Sequence, residues 1–209
     1  MPMIIAVDAA IGSIWSGDND DPDDSSSDAF RASEAVLESD SVLVRVSENF
    51  VPACAQVNVG EGKAIVMQVG SSGVLEVYRH GPRLLLVEGS YRGPTTERPT
   101  TSGTKIVVPS TADYMQYVGG PRHEDAGKVG MIEAKSEWLL LLPITAPGAT
   151  ARELTAAAKT DAVTVQPAAH RGQLLGVAVK VAPGRYNVII EPEVELDFGL
   201  VARAMIERA

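Results

Sequence analysis

The chain holds one cysteine, Cys54, among 209 residues, so no intrachain disulfide can form and the fold must rest on its own core. A reducing compartment is the simpler setting for such a chain. Aromatic residues are scarce, at 5%, and are not interleaved with basic ones. That excludes the stacking platforms of proteins that grip single-stranded nucleic acid. There are three histidines, His80, His123 and His170. Their contexts, "YRHGPR", "GPRHEDAG" and "AAHRGQ", lack the H-x-x-x-H or C-x-x-C spacing of metal sites, which leaves each as a surface histidine.

Long apolar runs are missing too. "WLLLLPI" (138–144) falls far short of the ~20 residues that span a bilayer. The opening "MPMIIAVDAAIG" has no basic segment, and Asp8 interrupts its apolar run, so it reads as a strand rather than a signal peptide. No G-x-S-x-G elbow occurs, and "GEGKAI" has neither the glycine spacing of a P-loop nor a Ser or Thr after its lysine. A net charge of −9 repels nucleic acid and anionic membrane and suits a basic partner. The expectation is a soluble, cytoplasmic protein without cofactor or metal.

What the chain does have is apolar residues, 45% of the total, enough for a substantial core. The pattern V-x-V-x-x-G-(K/R)-x-x-V appears twice, as "VNVGEGKAIVM" (57–67) and "VKVAPGRYNVI" (179–189). In the second copy Ala182-Pro183-Gly184-Arg185 fits a type II turn, with Pro presetting φ and Gly supplying positive φ. In the first copy Gly62 takes the same third position of its turn. Both stretches predict β-hairpins. Upstream, "MIIAVDAAIG" (3–12) matches "LLLLPITAPG" (139–148), and "VLEVYRHGPRLLLV" (74–87) matches "VGMIEAKSEWLLLL" (129–142).

The fold class expected is mainly β (α+β), with two pseudo-duplicated lobes of antiparallel hairpins and two or three short helices. The lobes are 1–70 and 129–209, joined by connecting strands and a loop in 71–128. The helices are placed in "SSSDAFRASEAVLES" (25–39), with Phe30 and Leu37 on its apolar face, in "GATARELTAAAKTD" (148–161), with Thr150 as N-cap and Glu153 closing a capping box, and in "DFGLVARAMIERA" (197–209), with Leu200, Val201, Ala204 and Met205 on one face. The Pro/Thr/Ser/Gly-rich stretch 89–104 predicts an exposed loop.

Two constellations invite a chemical reading. The run "SGDNDDPDDSSSD" (16–28) is dense in aspartate. As an EF-hand loop from Asp18 it would need Gly at its sixth position and Glu at its twelfth, where Asp23 and Ala29 stand. Its reading is a solvated loop, or a phosphate-mimicking surface in which Asp18, Asp20, Asp21, Asp23 and Asp24 meet a cationic cleft. A nucleophile built from Cys54 and a histidine would have to be assembled by the fold, and the apolar strand around Cys54 quiets a thiol.

The combination of "LLLLPITAPG", "VKVAPGRYNVII" and the closing amphipathic helix expected at 197–209 resembles the β-rich immunity proteins of bacterial toxin systems and, more loosely, the ComJ family of nuclease inhibitors, and "YRHGPRLLLVEG" resembles the strand entry of some of these immunity proteins. That resemblance implies a non-enzymatic inhibitor that blocks a cationic toxin, such as a nuclease, by covering its cleft. The expected interface is the aspartate run with Trp15, Tyr114 and Tyr117 as anchors if they are exposed. The alternative is a β-sandwich module binding a small molecule or carbohydrate, and a third reading is an enzyme with a fold-assembled site.

Overall fold

Four consecutive leucines show how the layers arise. In β11 (Trp138–Pro143) the pleat sends Leu139 and Leu141 into one apolar cluster and Leu140 and Leu142 into another, because successive side chains point to opposite faces. A strand that is apolar on both faces must be covered on both. The computed structural model describes residues 3–17, 26–39, 43–46, 49–52, 54–69, 75–91, 95–99, 105–109, 112–157, 164–167 and 174–209. Among them, two antiparallel sheets lie face to face and helices cover the outer face of each, a β-rich α+β fold.

The first sheet has the order β12-β13-β11-β1-β5-β4, with β1 (Ile4–Asp8), β4 (Cys54–Val59), β5 (Gly62–Met67), β12 (Thr164–Pro167) and β13 (Leu174–Lys180). The second has the order β10-β14-β16-β7-β6, with β6 (Leu75–His80), β7 (Arg83–Tyr91), β10 (Gly127–Ala134), β14 (Gly184–Ile190) and β16 (Gly199–Arg208); β15 (Val194–Leu196) pairs with β16. Two short hairpins stand apart from these sheets, β2 (Leu43–Val46) with β3 (Asn49–Pro52), and β8 (Thr95–Pro99) with β9 (Lys105–Pro109).

Between the sheets, Ile65, Met67, Leu139, Leu141, Val177 and Val179 face Leu84, Leu86, Val188, Ile190, Ala204 and Ile206. On the outside of the first sheet lie α1 (Ala9–Gly12), α2 (Asp28–Leu37) and α4 (Gly148–Ala157); on the outside of the second lies α3 (Ala112–Gly119). Ser27 caps α2, its Oγ accepting from Phe30 N at 3.1 Å, and Ala29, Ala32 and Val36 are buried. The apolar face of this helix therefore differs from the expected one, since Phe30 and Leu37 are 43% and 61% exposed.

The segments 1–70 and 129–209 share one sheet. Strand β1 pairs along its length with β11, Ile4 opposite Pro143 and Asp8 opposite Leu139. About that pair the order is symmetric: each central strand leads into a helix and is flanked by a hairpin, β4–β5 or β12–β13. The repeated V-x-V-x-x-G motif does not follow this symmetry. Its first copy is a hairpin with a two-residue turn, Val59 opposite Gly62, in which Gly60 and not Gly62 carries the positive φ, 56°. Its second copy is no hairpin. Strand β13 belongs to the first sheet and β14 to the second, so Pro183 and Gly184 (φ 152°) carry the chain across the sandwich. The 129–142 fragment crosses likewise from β10 to β11, whereas β6 and β7 do form a hairpin.

Three further expectations are corrected. The segment 197–209 is strand β16 and not a helix; lying between β14 and β7, it is buried on both faces, and a continuous apolar run serves such a strand as well as it serves a helix. Helix α4 begins at Gly148, so Thr150 lies inside it, its N–H donating to Pro147 O at 2.9 Å. The stretch 89–104 includes the end of β7 and all of β8.

Candidate functional site

At one end of the sandwich the two sheets converge on Asp8, the last residue of β1. Its carboxylate is 2% exposed and is fully engaged by backbone. Oδ1 accepts from Ala10 N at 2.7 Å, capping α1, while Oδ2 accepts from Lys135 N at 2.5 Å and Ser136 N at 2.8 Å. Residues 135–137 are where the chain leaves β10 and enters β11. A charge buried this deeply persists because amide donors satisfy it, and in doing so it fastens the crossover to the first strand.

Beside this carboxylate opens a groove of about 470 Å³, within the volume range of small-molecule sites. The buried Asp8, the half-buried Ile11 and Met131 and the exposed Lys63, Lys135, Arg185, Glu61 and Glu133 line it. Gln56 closes one side, its Nε2 donating to Met131 O at 2.9 Å, which ties edge strand β4 to edge strand β10. Two glycines permit the approach. A Cβ on Gly62 would stand 2.4 Å from Ile11 Cδ1, and one on Gly130, at the irregularity in the β10–β14 ladder, 2.4 Å from Ile65 Cδ1.

A second polar centre lies on the far face of the second sheet. Arg203 of β16 and Glu191 are 2% and 1% exposed and form a bidentate pair, Nε–Oε2 2.8 Å and Nη2–Oε1 2.9 Å. The same guanidinium donates to the carbonyls of Tyr117, Val118, Gly120 and Pro121, at 2.6 to 3.3 Å. It thus caps the C-terminus of α3, where a cation complements the helix dipole. Its Cζ lies 5.1 Å from the Tyr117 ring centroid. Burial pushes the Tyr117 phenol well above its ordinary range, and the negative charge of Glu191 adds to that. Nearby, the buried Glu76 accepts from the hydroxyls of Tyr114, at 2.8 Å, and Tyr78.

The residues singled out from sequence are scattered by the fold. Trp15 is 3% exposed, its Nε1 donating to Ile144 O at 2.8 Å, and Tyr114 is fully buried edge-on to Phe198. The condition of exposure attached to these two anchors is not met; Tyr117 is partly buried on α3. Asp18, Asp20, Asp21, Asp23 and Asp24 lie outside the described residues, but the ends of their segment are pinned together. Asp28 Oδ2 accepts from Ser16 N at 2.7 Å and Ser16 Oγ at 2.8 Å, and Ala29 N donates to Gly17 O at 3.1 Å. Partial burial works against the Asp28 charge, yet the Ser16 hydrogen bonds and the Arg31 ion pair outweigh it and hold the carboxyl below its ordinary range.

Cys54 is closed into the sandwich core with Ile65 and Met67. His80 is exposed at the end of β6, and His123 follows α3, its Nδ1 accepting from Asp125 N at 3.1 Å; His170 lies outside the described residues. Among the described residues no three His, Cys, Asp or Glu side chains are grouped to hold a metal ion, and no helix is long and apolar enough to cross a membrane.

Sequence reasoning missed both polar centres, although each left a mark. Asp8 ends an otherwise apolar strand, and Arg203 interrupts the apolar run "LVARAMI". A charge placed where the pattern calls for core is a buried, partnered charge. The chain matches no protein-family model, no curated protein and no solved structure.

Proposed function

We propose that this chain is a binding protein, with the groove beside Asp8 as the seat of a small polar molecule. The observation that carries this reading is the groove itself, a concavity of about 470 Å³ lined by half-buried Ile11 and Met131 and by exposed charged side chains. Such a combination supplies contact area and orientation. The buried carboxylate in its lining has a structural task, both oxygens of Asp8 accepting from backbone N–H groups that tie α1 and the β10–β11 crossover to β1.

A thermal-shift screen against a panel of metabolites tests this. At least one compound is expected to raise the unfolding temperature of the native chain and to leave a Met131→Trp variant, whose groove is filled, unshifted. A panel that shifts neither protein, or both equally, overturns the reading.

The net charge of −9 favours a second reading, the inhibitor of a basic protein toxin. Under it, affinity capture from the native host's lysate at low salt returns one basic protein. That protein is lost at high salt and from a variant with Asp18, Asp20, Asp21, Asp23 and Asp24 changed to Asn. Capture unaffected by those substitutions removes the aspartate run from the interface.

A further inference from the structure

We propose that the groove ligand carries an oxyanion, a phosphate monoester or a carboxylate, held by Lys63, Lys135 and Arg185 with Arg208 beside them. The inference rests on the groove reading above and adds the chemical class of its ligand.

Strand register brings these cations to one end of the sandwich. Lys63 is the second residue of β5, opposite Asn58, and Arg185 the second of β14, opposite Glu133. Lys135 directly follows β10, whose last residue, Ala134, faces Gly184. Arg208 ends β16 opposite Tyr186, and its guanidinium lies 3.5 Å from where a Cβ on Gly184 would stand. All four are exposed, and none forms an ion pair among the described residues. Arg83 and Arg122, by contrast, are both neutralised by Glu207, at 3.1 and 2.6 Å.

The carboxylates at the site set the size of the charge that fits. Asp8 keeps its charge although amides satisfy its hydrogen bonds, so Asp8, Glu61 and Glu133 balance the lining cations Lys63, Lys135 and Arg185, and neighbouring Arg208 tips the site to positive. So slight an excess suits a small anion on an otherwise neutral body, and not a polyanion, which the −9 chain would repel at longer range. Ile11, Met131 and Gln56 are the surfaces against which that neutral body would lie. Arginine and lysine together give a fork and mobile point charges, the donor set that oxyanions take.

The test is isothermal titration of the full chain with three probes of similar body, namely glucose 6-phosphate, glucuronate and glucose, at low ionic strength. The expected result is that one or both anions bind while glucose does not, and the anion that binds identifies the source of the charge. A Lys135→Ala/Arg185→Ala variant with an unchanged unfolding midpoint should bind that anion at least about tenfold more weakly, as loss of charge-assisted contacts requires. An Arg122→Ala variant should bind it normally. Glucose binding as well as the anions would overturn the oxyanion class while leaving a groove ligand in place. Binding of none of the three would overturn the proposal, with the groove reading then resting on the metabolite screen. Equal loss in the Arg122→Ala variant would overturn the assignment to these cations.

Discussion

Replacing Arg203 by alanine should remove about 3–5 kcal/mol of folding stability, the loss that follows when one partner of a buried ion pair is taken away. Against a total of about 5–15 kcal/mol for a typical domain, that leaves a marginal protein. The reason is the number of groups that one guanidinium serves. Glu191 would remain buried and unpaired, holding only the backbone N–H of His123 at 2.9 Å. The carbonyls of Tyr117, Val118, Gly120 and Pro121 would lose this donor at the same time. Many buried ion pairs can be exchanged for apolar pairs at little loss, but here an Arg203→Met/Glu191→Leu double variant should stay well below the native stability, because the carbonyls of Val118, Gly120 and Pro121 lose the guanidinium and only Tyr117 O keeps a second donor, Gly120 N at 3.2 Å. Urea denaturation gives the midpoints, and hydrogen exchange should show α3 losing protection first. A double variant of native stability would show that the capping bonds contribute nothing.

Leu140→Ala should cost about 2–5 kcal/mol, the range for truncating a fully buried leucine. Leu140 sits at the centre of the first sheet, between Val7 and Ala178 in the strand register, and its side chain supports α1 from below. A Cβ added at Gly12 would stand 2.9 Å from Leu140 Cδ1, so a side chain there would have to displace the end of Leu140. A Gly12→Ala variant should therefore be destabilised by overpacking in the native background and should lose that penalty once Leu140 is shortened. Neighbours that share one space fail to add in this way, and denaturant midpoints of the two single variants and the double variant measure the coupling. Strict additivity would mean that α1 does not rest on Leu140.

The β-rich class was legible because alternation and glycine turns are local properties. "VLEVYRHGPRLLLV" folds as the β6–β7 hairpin it resembles, turning at Gly81 and Pro82. Serine before "DAFRAS" marks the start of α2. Pairing partners were another matter. The same V-x-V-x-x-G pattern closes a hairpin at Gly60 and bridges two sheets at Gly184, and the difference lies in what surrounds the flanking strands, Val179 facing the core from one sheet and Val188 from the other. Strand β16 read as a helix because a run covered on both faces loses the period of two. The groove was illegible for a related reason: Lys63, Lys135 and Arg185 are ordinary surface residues in sequence, and strand register alone gathers them.

The pairing of β1 with β11 also sets a timetable. The chain emerges from the ribosome from its N-terminus, and β1 is complete by Asp8, but the neighbour that fills its other edge starts at Trp138. Until then the opening strand has only β5 beside it. Sheets closed by contacts so distant in sequence form late and slowly, and they leave apolar edges uncovered in the meantime. The Asp8 carboxylate waits as long, because Lys135 N and Ser136 N arrive just before β11. Between the making of β5 and that of β11, strands β1, β5 and β4 stand as three neighbours with the outer edge of β1 open.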